Sequence, residues 1–255
     1  MILRSFSKSI ETYDQHAFIQ NKMAHELDKR LPAYEPSDIL ELGCGTGLFT
    51  TLLRKKYTTS VITAIDMSLV MINQAKLKLI SDPISWVCGD IQTYNFNRKF
   101  DLITSNSCLH WVSDLDETLN HLKPFIYPNT RLIFSIFGPK TFEELRLGLS
   151  TVMEKRICLS SDFFLDQDRL NLIFKSHFNH VEIFEIIQTH SFSDTISLLN
   201  HIKKTGTRGY GLIDENKKPL HQSLTRKRLD RLDSWFGTPF FITYQVFIVE
   251  INLKV

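Results

Sequence analysis

Cysteine is sparse: Cys44, Cys88, Cys108 and Cys158 are the only four in 255 residues, and no two form a C-x-x-C pair. That spacing excludes a zinc knuckle and a disulfide framework, and it predicts reduced thiols with no bound metal. Long apolar runs are lacking too, since no stretch approaches the ~18 residues of a membrane span. Met1–Lys8 has no apolar segment of the kind that directs secretion. The expectation is a cytoplasmic monomer with no membrane partner. Internal repeats, low-complexity segments and a linker that would justify a second domain are also missing, so one domain is predicted over 1–255. No RNA-binding appendage is visible, which sets nucleic acid aside as a partner. What is present is ordinary for a soluble globular chain: 43% apolar and 23% charged residues, enough to bury a core without cross-links.

Periodicity supplies the architecture. Tyr13, Ala17, Ala24, Leu27 and Leu31 recur at helical spacing and predict one helix over 10–30, ended by Pro32 and Pro36. Short apolar or alternating runs predict strands at 38–42, 61–66, 84–88, 100–104, 131–137, 181–186 and 243–249. Between them, Thr46, Ser68 and Thr225 are placed to cap helices, 115–123 and 194–204 read as helical, and Thr141-Phe142-Glu143-Glu144 has the form of a capping box. Strands alternating with helices predict an α/β fold: a doubly wound, seven-stranded, mostly parallel sheet. The less regular segments, 139–178 and 192–238, are predicted as inserted helical caps, and 1–31 as a lid.

The organising stretch is Asp38-Ile39-Leu40-Glu41-Leu42-Gly43-Cys44-Gly45-Thr46-Gly47. It reads as a buried strand, a glycine turn and a helix start. Glycines at 43, 45 and 47 permit positive φ and close approach of a ligand. The dinucleotide fingerprint spaces its glycines as G-x-G-x-x-G, but here the third comes one residue early and Leu48 stands where it should be. An acid at Glu41 would repel a pyrophosphate and suits a ligand with a cationic amino group, such as the methionine part of S-adenosylmethionine. The acid-x-G-x-G-x-G pattern resembles motif I of the class I methyltransferases, although a glycine loop alone is a weak signal.

Further positions fall where such a sheet would hold a ligand. Asp66 ends the second predicted strand 19 residues after Gly47, the place of an acid that accepts from ribose hydroxyls, and Met67 beside it is suited to pack on adenine. Asp90-Ile91 follows the third strand, where an acid can accept from the adenine amino group. Ser105-Asn106 follows the fourth, and Cys44 within the turn is there for its small size. Tyr13 and His110 are the candidates to test as a base. Neither is compelling, and there is no Asn-Pro-Pro-Tyr, no His-x-x-Glu-His and no Ser-His-Asp order. A carboxylate oxygen is already ionised at neutral pH and needs no base, only in-line placement, so the missing base favours a carboxylate acceptor.

Taken together the chain resembles the malonyl-acyl-carrier-protein O-methyltransferases of biotin synthesis, the BioC family. The likeness rests on Tyr13-Asp14-Gln15-His16-Ala17 with Gln20, on Ile39 to Gly47, on Ser105-Asn106 with His110-Trp111, and on Phe137-Gly138 with Thr141-Phe142 and Glu144-Leu145. Its most selective pieces are His201-Ile202-Lys203-Lys204-Thr205-Gly206-Thr207, Leu224-Thr225 and Thr243-Tyr244-Gln245-Val246-Phe247. The resemblance implies a Rossmann-like fold and methyl transfer from S-adenosylmethionine to the free carboxylate of malonyl held on acyl carrier protein. It also implies a first helix that closes over the cofactor, so that Tyr13 joins Glu41, Gly43, Cys44, Gly45, Asp66, Met67, Asp90, Ile91, Ser105 and Asn106 in binding it. One departure stands out: family members often carry Arg-Phe where this chain reads Ser161-Asp162-Phe163-Phe164, and Arg169 is the nearest downstream arginine. Rival readings are another class I methyltransferase acting on a small carboxylate or a quinone precursor, and a non-catalytic S-adenosylmethionine-binding assembly factor.

The charge distribution bears on the implied carrier partner. Residues 201–235 hold nine bases and four acids, a net of +5, so the rest of the chain carries −3 of a total of +2. Lys203, Lys204, Arg208, Arg226, Lys227 and Arg228 are therefore expected to dock an acidic carrier protein.

Overall fold

The computed structural model describes residues 10–205, 212–213 and 224–253. Helices α1 (Ile10–His16) and α2 (Phe18–Arg30) come first, then β1 (Asp38–Leu42), α3 (Leu48–Lys56), β2 (Val61–Asp66), α4 (Leu69–Lys78), β3 (Ile84–Cys88) and β4 (Phe100–Asn106). They are followed by α5 (Leu115–Leu122), β5 (Ile126–Phe137), α6 (Glu143–Met153), α7 (Gln167–His177), β6 (Val181–Phe192), α8 (Thr195–Lys204), α9 (Arg226–Phe236) and β7 (Phe240–Asn252). The seven strands form one sheet in the order β3-β2-β1-β4-β5-β7-β6. The β1–β2, β1–β4, β2–β3 and β4–β5 pairings are all parallel. From β1 the chain winds outward to β3, then returns to lay β4 on β1's other side. The crevice between β1 and β4 is thus the switch point at which a sheet of this kind binds ligands.

Contacts within the chain group into two units. The larger comprises Ala17–Ile136, Leu165–Ile186 and Phe247–Val255, and the smaller Met1–His16, Phe137–Phe164 and Ile187–Val246. In the larger, β1 buries four of its five residues, as a strand covered on both faces must. Leu40, Leu42, Ile103, Phe134 and Phe247 join one core with α5 and α7. In the smaller, α9 packs on α6 through the fully buried Leu232, and Gly148 leaves room for the Trp235 ring, which a methyl there would meet at 2.9 Å.

Several predicted details differ. The first helix is two, broken at Ala17 (φ −77°, ψ 43°). Thr46 does not cap α3; the cap position is Gly47 in the left-handed region, with no side-chain bond to the helix. Ser68 does cap α4, accepting from Met71 N at 3.3 Å. Thr225 occupies the cap position of α9 without a side-chain bond. The Thr141–Glu144 capping box does not form. Thr141 Oγ1 donates instead to Gln245 O (3.1 Å), and Glu144 accepts from Thr243 N (2.9 Å) and Thr243 Oγ1 (2.5 Å), so both residues bind β7 and Phe142 starts α6 at φ +64°. Cross-sheet partners outcompeted the local helix end, which local sequence pattern could not reveal.

Candidate functional site

The glycine turn hangs from the end of β2. Gly43 N and Cys44 N both donate to Ile65 O, at 2.8 and 3.0 Å. Asp66 completes the cradle: its Oδ2 accepts from Gly45 N at 2.9 Å and its Oδ1 from Ser68 N at 2.8 Å. A carboxylate has about four acceptor positions, so two backbone amides leave room for a pair of hydroxyls. Burial raises the Asp66 pKa, and the two amides act against that rise.

The glycines divide by what surrounds them. All three have positive φ. A methyl on Gly43 would lie 2.2 Å from Cys108 Sγ, and one on Gly47 2.9 Å from the Ala75 methyl, so protein atoms require those two. Gly45 has no atom of the described residues within 4 Å of that position. Its open face is where a ligand can approach the backbone.

Beneath the turn, Glu41 is buried, with 1% of its surface exposed. Among the described residues, neither its Oε2 nor the nearby Thr50 Oγ1 meets hydrogen-bond geometry with any partner. Burial pushes the Glu41 carboxyl up to about 8; the charge of Asp66 adds to this and the Thr50 hydroxyl opposes it. In sequence, Glu41 reads as a standing negative charge. Without a cation beside it, the carboxyl is mostly neutral at pH 7. A buried acid with an unused oxygen suits an arriving ammonium group, which would draw the proton off.

The other predicted positions divide. Met67 is half exposed, at 49%, beside Asp66. Asp90 is half-buried and accepts from Gln92 N at 2.9 Å; Gln92 Oε1 in turn accepts from Ser113 N (2.9 Å) and Ser113 Oγ (2.6 Å). Asp90 and Met67 therefore sit at the strand ends with surface available to a ligand.

The side chains of Ile91, Cys44, Ser105 and Asn106 are engaged within the protein, so any contact these residues make with a ligand would be through the backbone. Ile91 belongs to the main core, and Cys44 packs with Ala64 and Ile72 under the turn, so only its backbone faces outward. Ser105 is fully buried and donates to Leu42 O at 2.8 Å, tying β4 to β1. Asn106 donates from Nδ2 to Gln20 O at 2.9 Å and accepts on Oδ1 from Ser135 Oγ at 2.9 Å. Both ends of its amide are engaged inside the protein. Apolar or small residues on a buried strand end look alike in sequence whether they line a ligand or the core.

His110 lies in a 3-10 turn, Leu109–Trp111, just after β4, with its ring 4.9 Å from that of Trp111. Burial pushes its pKa down to about 3. It is neutral near pH 7 and holds a proton too weakly to serve as a base there. Tyr13 lies in α1, in the smaller unit.

Of the predicted docking residues, Lys203 and Lys204 are in the last turn of α8 and Arg226, Lys227 and Arg228 in the first turn of α9; Arg208 lies outside the described residues. The α9 trio is not one patch, because consecutive helical residues are about 100° apart. Arg226 pairs with Asp230 (3.0 Å), whereas Lys227 and Arg231 line an open surface groove between α9 and α6, with Trp235 and Val152. Arg231 reaches Glu154 at 3.3 Å.

Sequence reasoning named Gln20 only as part of the family likeness and gave no role to Gln92 or Ser135. Ser135 did carry a signal, a polar residue inside Leu132-Ile133-Phe134-Ser135-Ile136-Phe137.

Residues 13–177 match the family described as "Methyltransferase domain". Among curated relatives, the malonyl-[acyl-carrier protein] O-methyltransferase 1 of Ilyobacter polytropus is 31% identical over 239 residues, covering 93% of this chain and 86% of that protein. The malonyl-[acyl-carrier protein] O-methyltransferase of Priestia megaterium is 39% identical over 158 residues, which is 61% of this chain and 58% of the relative's length. Solved structures similar in fold include the YcgJ protein of Bacillus subtilis (TM-score 0.60, 14% identity, 92% of this chain and 99% of that one). Another is phosphoethanolamine N-methyltransferase 2 of Haemonchus contortus in complex with S-adenosyl-L-methionine (TM-score 0.55, 14% identity, 91% and 53%). At such identities these two show the fold alone.

Proposed function

The chain belongs to the methyltransferase-domain family and, within it, to the malonyl-[acyl-carrier protein] O-methyltransferases, and on that premise we propose that it methylates the free carboxylate of a malonyl group carried on acyl carrier protein, with S-adenosylmethionine as donor. The observation that carries the cofactor assignment is the buried Glu41 carboxyl, whose Oε2 has no hydrogen-bond partner among the described residues, under a glycine turn whose Gly45 face is open. Bound there, S-adenosylmethionine supplies an electrophilic sulfonium methyl.

This chain's residues bind and orient. Glu41 answers the amino group of the methionine part, Asp66 the ribose hydroxyls, and Asp90 with Met67 the adenine. The acceptor carboxylate is ionised at neutral pH, so the reaction asks the protein for position and exclusion of water, not for proton transfer. The very low pKa of His110 agrees with that reading.

The cation that holds the malonyl carboxylate is not the arginine of the Ser161–Phe164 segment, since none is there. Arg146 touches that segment through Nε to Asp162 (3.1 Å), but it also reaches Glu143 (3.3 Å), so two acids already neutralise it.

The deciding experiment compares methyl transfer to malonyl-acyl carrier protein, malonyl-coenzyme A and free malonate. Preference for the carrier-bound substrate is expected. Turnover on free malonate alone would favour a small-carboxylate methyltransferase, and binding of S-adenosylhomocysteine without turnover on any of them would favour a non-catalytic binding protein.

A further inference from the structure

Three consecutive residues at the end of β4 are each bonded to a different neighbour. Ser105 Oγ donates to Leu42 O of β1 at 2.8 Å. Asn106 Nδ2 donates to Gln20 O of α2 at 2.9 Å. Ser107 N donates to β5, to Ser135 Oγ at 2.8 Å and Ser135 O at 3.0 Å. The strand end next to the glycine turn is thereby pinned on both sides and to the helix.

Ser135 is the hub. It is fully buried, and its one hydroxyl both accepts from Ser107 N and donates to Asn106 Oδ1 at 2.9 Å. A second hydroxyl, Ser107 Oγ, lies 3.3 Å from the same Asn106 oxygen. Two hydroxyl donors on one side fix which end of the amide is oxygen, and so turn Nδ2 towards Gln20. Ser107 itself has φ +56°, a left-handed conformation that persists where surrounding bonds over-determine it. Gln20 is buried too, in the first turn of α2.

We propose that Ser135 is a positioning residue for cofactor binding, acting through Asn106, which latches the first turn of α2 to the ligand edge of the sheet. The proposal rests on the S-adenosylmethionine reading above. It gives Asn106 a role other than ligand contact: the helix start is held where the β1–β4 crevice opens, and the crevice keeps its shape before the ligand arrives. Loosening the latch lets that first turn move, which weakens binding and leaves the bound complex able to react.

The test uses the full chain with Ser135→Ala, which removes the hub hydroxyl, and Asn106→Asp, which keeps the acceptor and removes the donor to Gln20. Each is expected to raise the Kd for S-adenosylhomocysteine about tenfold, the loss of roughly one well-made hydrogen bond, with kcat at saturating donor within about twofold. In the ligand-free variants, amide hydrogen exchange is expected to quicken in 20–24 while β1 and β2 keep their protection. Ser135→Cys, a weak donor of similar size, is expected to restore part of the affinity. Unchanged Kd in both variants overturns the proposal, as does a fall in kcat with Kd unchanged, or faster exchange spread evenly through the unit, which would mark plain destabilisation. If Ser135→Ala does not fold, Asn106→Asp decides alone. If the unaltered protein does not bind S-adenosylhomocysteine, the cofactor reading fails and the proposal falls with it; exchange in 20–24 then shows only whether a structural latch exists.

Discussion

The carboxylate of Asp66 closes on the amide of Gly45, 2.9 Å away, and so holds from β2 the one glycine of the turn whose outer face is open. One side chain therefore shapes the cradle and is placed to bind what enters it. Asp66→Ala is expected to weaken S-adenosylhomocysteine binding by roughly 1.5–3 kcal/mol, the range of a charge-assisted hydrogen bond. Calorimetry measures it, and Asp66→Asn separates the two roles. The Asn oxygen can replace only one amide acceptor, so thermal stability should recover in part while affinity stays low. Full affinity in Asp66→Ala would remove the ribose assignment.

Two glycines only two residues apart should fail differently. Gly43→Ala puts a methyl 2.2 Å from Cys108 Sγ at φ +72°, so stability should drop by roughly 1–3 kcal/mol, with partial rescue by Cys108→Ala. Gly45→Ala meets no atom of the described residues, and its strain at φ +53° costs about 1–2 kcal/mol, but the methyl projects from the open face. It should lower cofactor affinity more than stability. Denaturant midpoints and binding isotherms on the pair check this, and equal losses of affinity would contradict it.

Ligand-free stability should fall as pH rises from 6.5 to 8. Glu41 has its pKa raised from 4.5 to about 8, so the native state keeps a proton that the unfolded chain has lost. Its stabilising contribution is full below 4.5 and is lost as pH climbs through 8. His110 has the opposite sign. Lowered from 6.5 to about 3, it contributes stability above 6.5 that is lost as pH falls through 3. Between 4.5 and 6.5 the two oppose each other; above 6.5 the Glu41 slope remains. Glu41→Gln should flatten the decline in urea midpoints measured between those two pH values. Cofactor binding near neutral pH should release a proton, seen as a binding enthalpy that changes with the ionisation heat of the buffer.

Turnover should show little pH dependence at saturating donor between about pH 6 and 8, where the acceptor carboxylate stays ionised. His110→Ala and Tyr13→Phe are the variants to measure. Loss of turnover with both affinities intact in either would reinstate an enzyme base.

Carrier docking, if it uses the basic residues of α8 and α9, should respond to Lys227 more than to Arg226, which Asp230 already pairs at 3.0 Å. Lys227→Glu with Arg228→Glu should raise KM for the carrier-bound substrate and spare KM for malonyl-coenzyme A. The effect should shrink between about 50 and 300 mM salt as screening shortens. Carrier kinetics indifferent to both the reversal and salt would place the docking surface elsewhere.

The sequence by itself determined the sheet and the position of the turn. Seven apolar runs separated by helical periods lead to a doubly wound order, and an acid followed by alternate glycines marks the end of β1. These are local signals: side-chain period, permissive φ and a fixed count of residues from Gly47 to Asp66. Tertiary structure decided which way each side chain points at the strand ends. Ser105 and Asn106 look like ligand contacts in sequence, yet one bonds to Leu42 and the other to Gln20, 63 and 86 residues away in the chain. Thr141 and Glu144 have the spacing of a helix cap and instead bind residues of β7 about a hundred positions on, separations of 104 and 99. The protonation of Glu41 is likewise no property of the motif, because it depends on how completely the folded chain excludes water from that carboxyl. Hydrogen bonding and desolvation act across space, whereas sequence pattern records only neighbours along the chain.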